Sequence, residues 1–480
     1  MRGALAAGHP LTAEAGASVL EAGGSAVDAC VAAALVSWVC ESPLAGPGGG
    51  GFMLVHEARS GRTSLFDAFV AVPGQPAPGD LLELAVRFDD DTQQLFRTGA
   101  AAVAVPGAAL GLETAHSRFG RLPWRELATP AVRLAREGFE LSPIQAYLHE
   151  ILDPLLRHSP EGDAMYGVDG RPFRLGERVR MPELADTIDL VAERGAGVLY
   201  SGELAHAMVA HVGARGGALG LDDLASYRVV RRRPLSVRYR GHEFRSNPPP
   251  SSGGVLIALG LSFLGDREPT PSAVADAMEA QEAARDAAFA RALYRGGLAK
   301  RVLAGTTHIS VVDANGDAAS FSASLGSGSG VVVPGTGIHL NNMLGEHDLM
   351  GAGRPGARLT SMMAPSIVLR AGRPRLVVGS AGSARLRGAI LQVVANVVAR
   401  DLGVAEAVEA PRVHAEEGVV HCEDAAVADE LEAEGRAVFR WRERNLYFGG
   451  VSAVEVRADG TLAAAGDPRR GGAGVVVGGE

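Results

Sequence analysis

The chain has 480 residues, of which 47% are hydrophobic and 21% are charged, a balance that is typical of a globular protein and argues against disorder. Its net charge of −9 is dispersed, and no basic tract is long enough for a nucleic-acid footprint, so we expect no nucleic-acid partner. Length alone would suggest about three domains.

Composition and cysteine usage also bear on location. No uninterrupted apolar run of about 18 residues occurs outside Ala/Gly-rich helical patterns, which argues against a membrane span. The apolar N-terminal stretch is ended by His9 and Pro10, too early for a secretory h-region. Cys30, Cys40 and Cys422 lack metal-ligand spacing and suit a reducing compartment. We expect a cytoplasmic protein that needs no metal, cofactor or membrane.

The first predicted elements are two helices over residues 12–40. Thr12 is a candidate N-cap, Gly23-Gly24 interrupts the pattern, and Ser25 caps the second helix.

A glycine loop over residues 47–51 then feeds a strand. Its plain interpretation is a turn where two backbones approach closely. A phosphate-binding loop is the weaker interpretation, because the Lys-Ser/Thr ending and a following helix are missing. Helical periodicity dominates from about 107 to 213, and further helices are predicted over 255–264 and 271–303.

After Thr306 the pattern changes to alternating strands. Strands are predicted over 307–313, 317–324, 330–333, 364–370, 374–379, 419–422, 437–440, 450–457 and 461–465, with helices over 383–401 and 403–410. No internal repeat or low-complexity linker divides the chain. One compact unit of two lobes therefore fits better than several independent domains.

Residues 305–313, Gly-Thr-Thr-His-Ile-Ser-Val-Val-Asp, place a hydroxyl group at the start of a β-branched strand. If the chain breaks before Thr306, that residue carries both a nucleophile and a free α-amine that can act as its base. This is the minimal requirement of an N-terminal threonine hydrolase. The alternative is an ordinary strand start, since Thr and Val favour strands.

A series of motifs, in chain order, supports the first interpretation. They are Glu21–Ala29, Gly48–Met53, Val105–Gly107, Ala135–Phe139, Pro248–Gly254, Thr306–Asp313, Gly379–Gly382, Ala410–His414 and Gly466–Arg469. The series spans nearly the whole chain and resembles the γ-glutamyltransferase family of the N-terminal-nucleophile hydrolase superfamily.

The resemblance implies an α+β fold of four layers, αββα, in which two antiparallel sheets lie between helices. It also implies that the chain cuts itself between Gly305 and Thr306, by attack of the Thr306 hydroxyl on the Gly305 carbonyl, an N-to-O acyl shift and ester hydrolysis. The products are a large fragment, 1–305, and a small fragment, 306–480. We expect them to form one interleaved structural domain as a heterodimer, and pairing of two heterodimers is left open.

The same resemblance assigns catalytic positions. Thr306 is the expected nucleophile, and Ser324 stands where the family has a second hydroxyl residue that hydrogen-bonds the nucleophile. The backbone N–H groups of Gly382 and Ser383 are the expected oxyanion hole. A simple strand-to-helix turn is the plain interpretation of Gly382, and both interpretations can hold together.

The family's substrate contacts are largely replaced. Residues 67–76 contain no arginine, although the family uses one from this region to hold the substrate α-carboxylate. The other positions that the resemblance assigns to substrate binding are Gly326, Met343, Glu346, Ser361 and Met362. Among these only Glu346 keeps a carboxylate. Because burying an amino-acid headgroup without partners is costly, we predict a donor other than ordinary glutathione. The alternative is that the methionines fill the core and the pocket lies elsewhere.

The sequence leaves three functions open. The first is an autoprocessing hydrolase that acts through an acyl-enzyme on a non-standard small-molecule substrate. A sharper option within it is hydrolysis of a carbon–carbon bond of a keto acid, as in relatives that act in pathways to alkylproline precursors of antibiotics. The second is a γ-glutamyl hydrolase or transpeptidase acting on glutathione-like amides. The third is an uncut, non-catalytic scaffold, against which the intact Gly305-Thr306 site argues.

Overall fold

Two antiparallel sheets form the centre of the computed structural model, which describes residues 2–87, 93–285, 289, 305–346 and 354–478. Over these residues the larger sheet has seven strands, in the spatial order Val230–Arg232, Arg62–Ala68, Gly50–Glu57, Ala318–Gly326, Gly305–Asp313, Gly3–Ala7 and Ala473–Val477. The smaller sheet has six strands within the same ranges, in the order Leu235–Tyr239, His242–Ser246, Ser366–Arg370, Arg373–Ala381, Gly450–Val456 and Leu462–Gly466.

Helices cover the outer face of each sheet. Those on the side of the larger sheet are Pro10–Glu21, Ala26–Cys40, Ala108–Phe119, Trp124–Glu137, Pro143–Ile151, Asp153–Leu156, Pro160–Tyr166, Pro182–Arg194, Val198–Ser201, Glu203–Gly213 and Leu221–Ser226. Those on the side of the smaller sheet are Gly253–Leu264, Pro271–Ala283, Leu386–Ala399, Val404–Glu409 and Ala425–Ala433.

Further short strands lie outside the two central sheets. They are Leu82–Arg87 with Gln93–Thr98, Phe139–Glu140 with Arg178–Val179, Gly167–Val168 with Arg171–Pro172, Val332–Val333 with Ile338–His339, and a small sheet of Val413–Glu416, Val419–Cys422 and Val438–Arg440.

Apolar cores separate the four layers. Successive strand residues point to opposite faces of a sheet, so a strand that is buried on both faces contributes to two cores. Val311 packs under the helices of the larger sheet, whereas Val312 packs between the sheets. Val377 also lies between the sheets, whereas Val378 packs under the helices of the smaller sheet. The αββα prediction is confirmed.

The larger sheet joins residues from both sides of the Gly305–Thr306 bond. Its strand Gly305–Asp313 pairs with Gly3–Ala7, with Leu5 opposite Val311. On the other side, Ala318–Gly326 pairs with Gly50–Glu57. A cut before Thr306 would therefore leave two fragments that share one hydrogen-bonded sheet.

Most predicted elements are present, with shifted ends. The predicted helix pair is confirmed, and Ser25 caps its second helix. The Thr12 cap is wrong: the N-cap is His9, whose ring accepts from Leu11 N, because Pro10 starts the helix one turn earlier.

Other predictions are confirmed in part. The predicted strand over 330–333 shortens to Val332–Val333. The helix prediction over 271–303 is confirmed for Pro271–Ala283, and most of its remainder lies outside the described residues. In the described part of the chain, no helix is both long and apolar enough to cross a membrane.

The core between the sheets should contribute to the stability of the protein. Leu54 is 0% exposed there, whereas Leu175 is 61% exposed on the surface. We expect Leu54→Ala to lower the free energy of unfolding by about 2 to 5 kcal/mol, since a cavity is left among rigid strands. Leu175→Ala is the control and should change it by no more than about 0.5 kcal/mol. Thermal melting of both variants checks this, and equal melting temperatures would contradict the assignment of the core.

Candidate active site

Thr306 occupies a register shift between the two central strands of the larger sheet. Gly305 pairs with Gly326, but Thr307 pairs with Ala323. Thr306 therefore faces two residues of the partner strand, which is the geometry of a β-bulge. It is 3% exposed, and it lines two small cavities.

Ser324 contacts the peptide bond that precedes Thr306. Its Oγ donates a hydrogen bond to the Gly305 carbonyl oxygen and accepts one from Gly326 N at 2.7 Å. A donor at this carbonyl would stabilise the negative charge that develops when a nucleophile attacks it. The predicted bond from Ser324 to the Thr306 hydroxyl stays a prediction for the cut form.

The glycine loop lets neighbouring backbones approach the Ser324 strand. A Cβ on Gly49 would lie 2.5 Å from the Ser324 carbonyl oxygen, and one on Gly51 would lie 2.6 Å from that of Ser322. Any side chain there would push the strand away from Ser324. The close-approach interpretation of the loop is confirmed.

The first cavity, which we call the front cavity, has a volume of about 40 Å³. It brings together most of the predicted site residues: Thr306, Ser324, Met343, Glu346, Ser361, Met362 and Ser383. Phe69, Met363 and Leu386 complete its lining, and sequence reasoning missed them. The one available signal was at Phe69, which lies in the segment where the expected arginine is missing. Its ring stacks on Phe52 with centroids 5.3 Å apart.

The two methionines serve both roles that the sequence left open. Met343 belongs to the core between the sheets, and Met362 belongs to the core of the smaller sheet. Both also line the front cavity. They therefore fill the core and shape the site at the same time.

The segment 248–254 positions Met362. Ser252 N and Gly253 N donate to the Ser361 carbonyl at 3.0 and 3.2 Å, and Ser252 Oγ donates to Met362 Sδ at 3.0 Å. A Cβ on Gly253 would lie 2.0 Å from the Met362 carbonyl oxygen. The glycine is thus needed for this close contact.

Gly326 does not line the front cavity. Its φ is 75°, and a Cβ would lie 2.0 Å from Asn342 Oδ1 and 3.0 Å from Glu346 Oε1. The space that a side chain would need is taken by Asn342, which also holds Ser327 N at 3.0 Å. Gly326 makes room for this arrangement, and its assignment to substrate binding stays a prediction.

Gly382 and Ser383 form the turn between the strand Arg373–Ala381 and the short helix Ser383–Arg385. Ser383 reaches the front cavity with a φ of 57°, a conformation that costs energy in a residue with a Cβ. Gly382 lies behind it, where a Cβ would be 2.8 Å from Gly449 Cα. Because Ser383 and Thr306 line the same cavity, this turn is where the predicted oxyanion hole would lie, and that role stays a prediction.

His308 has a packing role. Burial lowers its pKa to about 3, so the ring is neutral at physiological pH. Its Nδ1 lies 2.7 Å from Ser322 Oγ and its Nε2 lies 2.9 Å from Ser310 Oγ. Within the described residues, no group of three or more His, Cys, Asp or Glu side chains could hold a metal ion.

Two antiparallel sheets between helices, with a threonine at the start of a central strand, define the class of N-terminal-nucleophile hydrolase folds. The family described as Gamma-glutamyltranspeptidase matches residues 12–292 and 272–477. The chain belongs to this family and is an enzyme of its hydrolase and transferase class.

Individual relatives cover almost the full length. The chain is 34% identical to the acylase ACY 1 proenzyme of Pseudomonas sp. (strain SE83), over 100% of this chain and 94% of the relative. It is 32% identical to the glutathione hydrolase proenzyme of Pseudomonas aeruginosa, over 99% of this chain and 94% of the relative. Among solved structures, the cephalosporin acylase from Bacillus halodurans superimposes with a TM-score of 0.85 at 26% identity, over 100% of this chain and 96% of that one.

Replacing Gly326 with asparagine should be harmful. We expect Gly326→Asn to lower the free energy of unfolding by about 1 to 3 kcal/mol, because the new side chain meets Asn342. Gly316→Asn is the matched control, since Gly316 has a φ of 79° and a Cβ would meet nothing closer than 3.6 Å. Denaturant unfolding of both variants measures the difference. Equal stability would show that the space around Gly326 is not filled as described.

Proposed function

We propose that the chain is an autoprocessing N-terminal threonine hydrolase that cuts itself between Gly305 and Thr306. The support is geometric: Thr306 is the second residue of the central strand Gly305–Asp313, and the Ser324 hydroxyl already donates to the carbonyl that would be attacked. Relatives of nearly the same extent are named proenzymes, which agrees with a precursor that matures by cleavage.

In this proposal the cut creates the catalyst. The Thr306 α-amine becomes free, and because its ordinary pKa is near 8, a useful fraction is neutral at physiological pH. The amine then takes the proton of the Thr306 hydroxyl, which attacks the substrate and forms an acyl-enzyme. Gly382 and Ser383 N–H groups stabilise the oxyanion, and water releases the acyl group. Fragments 1–305 and 306–480 stay together as a heterodimer, because they share the larger sheet.

The front cavity favours an apolar acyl group, and this observation carries the substrate proposal. Its apolar lining, beside the polar site residues named above, comes from Phe69, Met343, Met362, Met363 and Leu386, and no lysine or arginine is among its described lining residues. A γ-glutamyl group would have to bury its α-carboxylate there without a cation, which costs several kcal/mol. Relatives named acylases agree with a different acyl group.

Two other substrate classes are included in the substrate test described below. A γ-glutamyl substrate is favoured by the relatives named glutathione hydrolases. A keto acid is favoured by chemistry, since attack of Thr306 on a ketone forms the same tetrahedral intermediate and expels a carbanion in place of an amine. The cytoplasmic location and the pairing of two heterodimers stay predictions.

Cleavage depends on one hydroxyl in this proposal. Thr306→Ala should remain a single chain, whereas Thr306→Ser, the matched control, should still split because the nucleophile is kept. Denaturing gels and intact mass measurement distinguish one chain from fragments of 305 and 175 residues, the counts on either side of the Gly305–Thr306 bond in the 480-residue chain. A Thr306→Ala protein that splits at this bond would refute the proposal.

Substrate preference depends on the apolar wall. We expect plain acyl anilides to be turned over at least tenfold faster, in kcat/KM, than γ-glutamyl-p-nitroanilide, with keto acids as a third arm. Met362→Ser should lower kcat/KM for the acyl anilide by about 10- to 200-fold, the effect of lost apolar contacts in a binding pocket. Efficient γ-glutamyl turnover by the unaltered enzyme would contradict the substrate proposal. It would have no bearing on the cleavage proposal.

A further inference from the structure

Self-cleavage, if the proposed function is right, meets a chemical difficulty that later turnover does not. Before the cut, the Thr306 nitrogen belongs to a peptide bond and cannot act as a base. The Thr306 hydroxyl must nevertheless lose its proton to attack the Gly305 carbonyl. Another group has to accept that proton, and the second cavity beside Thr306 contains a candidate.

This second cavity, which we call the rear cavity, has a volume of about 20 Å³. That is room for one water molecule. Its lining includes Thr306, Thr307, Glu41, Gln145 and Arg470. Both threonines lie at the register shift, where Ser324 and Leu325 of the partner strand oppose the single residue Thr306.

Glu41 is the buried acid of this cavity. It is 2% exposed and directly follows the helix Ala26–Cys40. Thr12 Oγ1 donates to its Oε1 at 2.8 Å, and Thr307 Oγ1 donates to its Oε2 at 2.7 Å. The two hydroxyls fix the carboxylate, and the second one belongs to the residue next to Thr306.

Other polar atoms at the rear cavity point to a small polar occupant. Gln145 Oε1 and Arg470 Nε are buried and have no hydrogen-bond partner among the residues that the structure describes. Gln145 is itself 2% exposed. Buried acceptors and donors without partners are costly, and one water could bond to both of them and to Glu41.

We propose that Glu41 is a positioning residue for self-cleavage that exchanges a proton with Thr306 through one water bound in the rear cavity. The O–H bond of Thr306 breaks as its oxygen bonds to the Gly305 carbonyl carbon, and the proton passes through the water to the Glu41 carboxylate. The tetrahedral intermediate then expels the Thr306 nitrogen, which takes the proton back from Glu41. The products are an ester and a free amine, and hydrolysis of the ester consumes one further water.

The charges around Glu41 are consistent with this role. Burial raises its pKa, and the hydrogen bonds from Thr307 and Thr12, together with nearby Arg470, oppose this rise only in part. Of the other titratable groups there, the Cys40 thiol has a raised pKa and His308 a lowered one, so both are neutral near pH 7.

Asp467, which also lines the rear cavity, is a poorer base. Its carboxylate is paired with Arg412 at 2.6 Å, and Arg412 and Arg469 lower its pKa although burial raises it. Because Glu41 keeps a raised pKa and Asp467 does not, the proton has a better acceptor in Glu41.

The test compares Glu41→Gln with Glu14→Gln, the same change at an exposed position of the neighbouring helix. Full-length precursor from cell-free synthesis is moved to buffers between about pH 5 and pH 9, and the appearance of the fragments is timed on gels. For the unaltered chain and for Glu14→Gln, the cleavage rate should rise with pH through a pKa above the ordinary value for glutamate. For Glu41→Gln it should be about 100-fold lower and should lose this rise, while Glu41→Asp should recover part of both.

The outcomes are separable. Cleavage of Glu41→Gln within threefold of the unaltered chain, with the same pH profile, would overturn the role of Glu41 alone. A purely structural role would also overturn it, and would appear as a lower melting temperature with slow cleavage but an unchanged pH profile. An unaltered chain that never splits would instead refute the proposed function itself.

Discussion

The site depends on the register shift between the two central strands of the larger sheet. Regular pairing would send Thr306 and Thr307 to opposite faces. At the shift, Thr306 lines both the rear and the front cavity, and Thr307 lines the rear cavity. The shift also holds the Gly305 carbonyl against the Ser324 hydroxyl. The proposed nucleophile Thr306, the Gly305–Thr306 bond and the donor Ser324 therefore all lie at this irregularity of the sheet.

The two cavities differ in their lining, and we propose that they serve two successive reactions. The front cavity combines Phe69, methionines and a leucine with the polar residues of the site, and in the proposal it receives an apolar acyl group. The rear cavity contains Glu41, Gln145 and Arg470, and in the proposal it moves a proton. Before the cut the proposed proton acceptor is Glu41; after the cut the α-amine of Thr306 can take its place. The change of base would explain why the precursor needs a buried acid that later turnover does not.

Much of the fold could be predicted from the sequence, because its signals are local. Ser25 followed by Asp28 predicted a helix start, and strands such as 419–422 were found from their alternation. The strands Gly3–Ala7 and Ala473–Val477 were missed, since neither short run alternates apolar and polar residues. Gly3–Ala7 becomes a strand by pairing with Gly305–Asp313 on one side and with Ala473–Val477 on the other. The Thr12 cap was wrong because Pro10 began the helix earlier.

The candidate site was predictable where family motifs mark it, and not where contacts depend on tertiary packing. Thr306, Ser324 and Ser383 come together as the motifs indicate. Glu41 lies 265 residues before Thr306 along the chain, and only the folded sheet brings the two to one cavity.

The most direct measurement of the central claim is to trap the acyl-enzyme. The mature enzyme would be quenched in acid during turnover of an apolar acyl anilide, digested, and mapped by tandem mass spectrometry. The account predicts an added acyl mass on the hydroxyl of a peptide that begins with Thr306 and has a free α-amine. An acyl group on any other side chain, or active protein in which Gly305 is still bonded to Thr306, would contradict it.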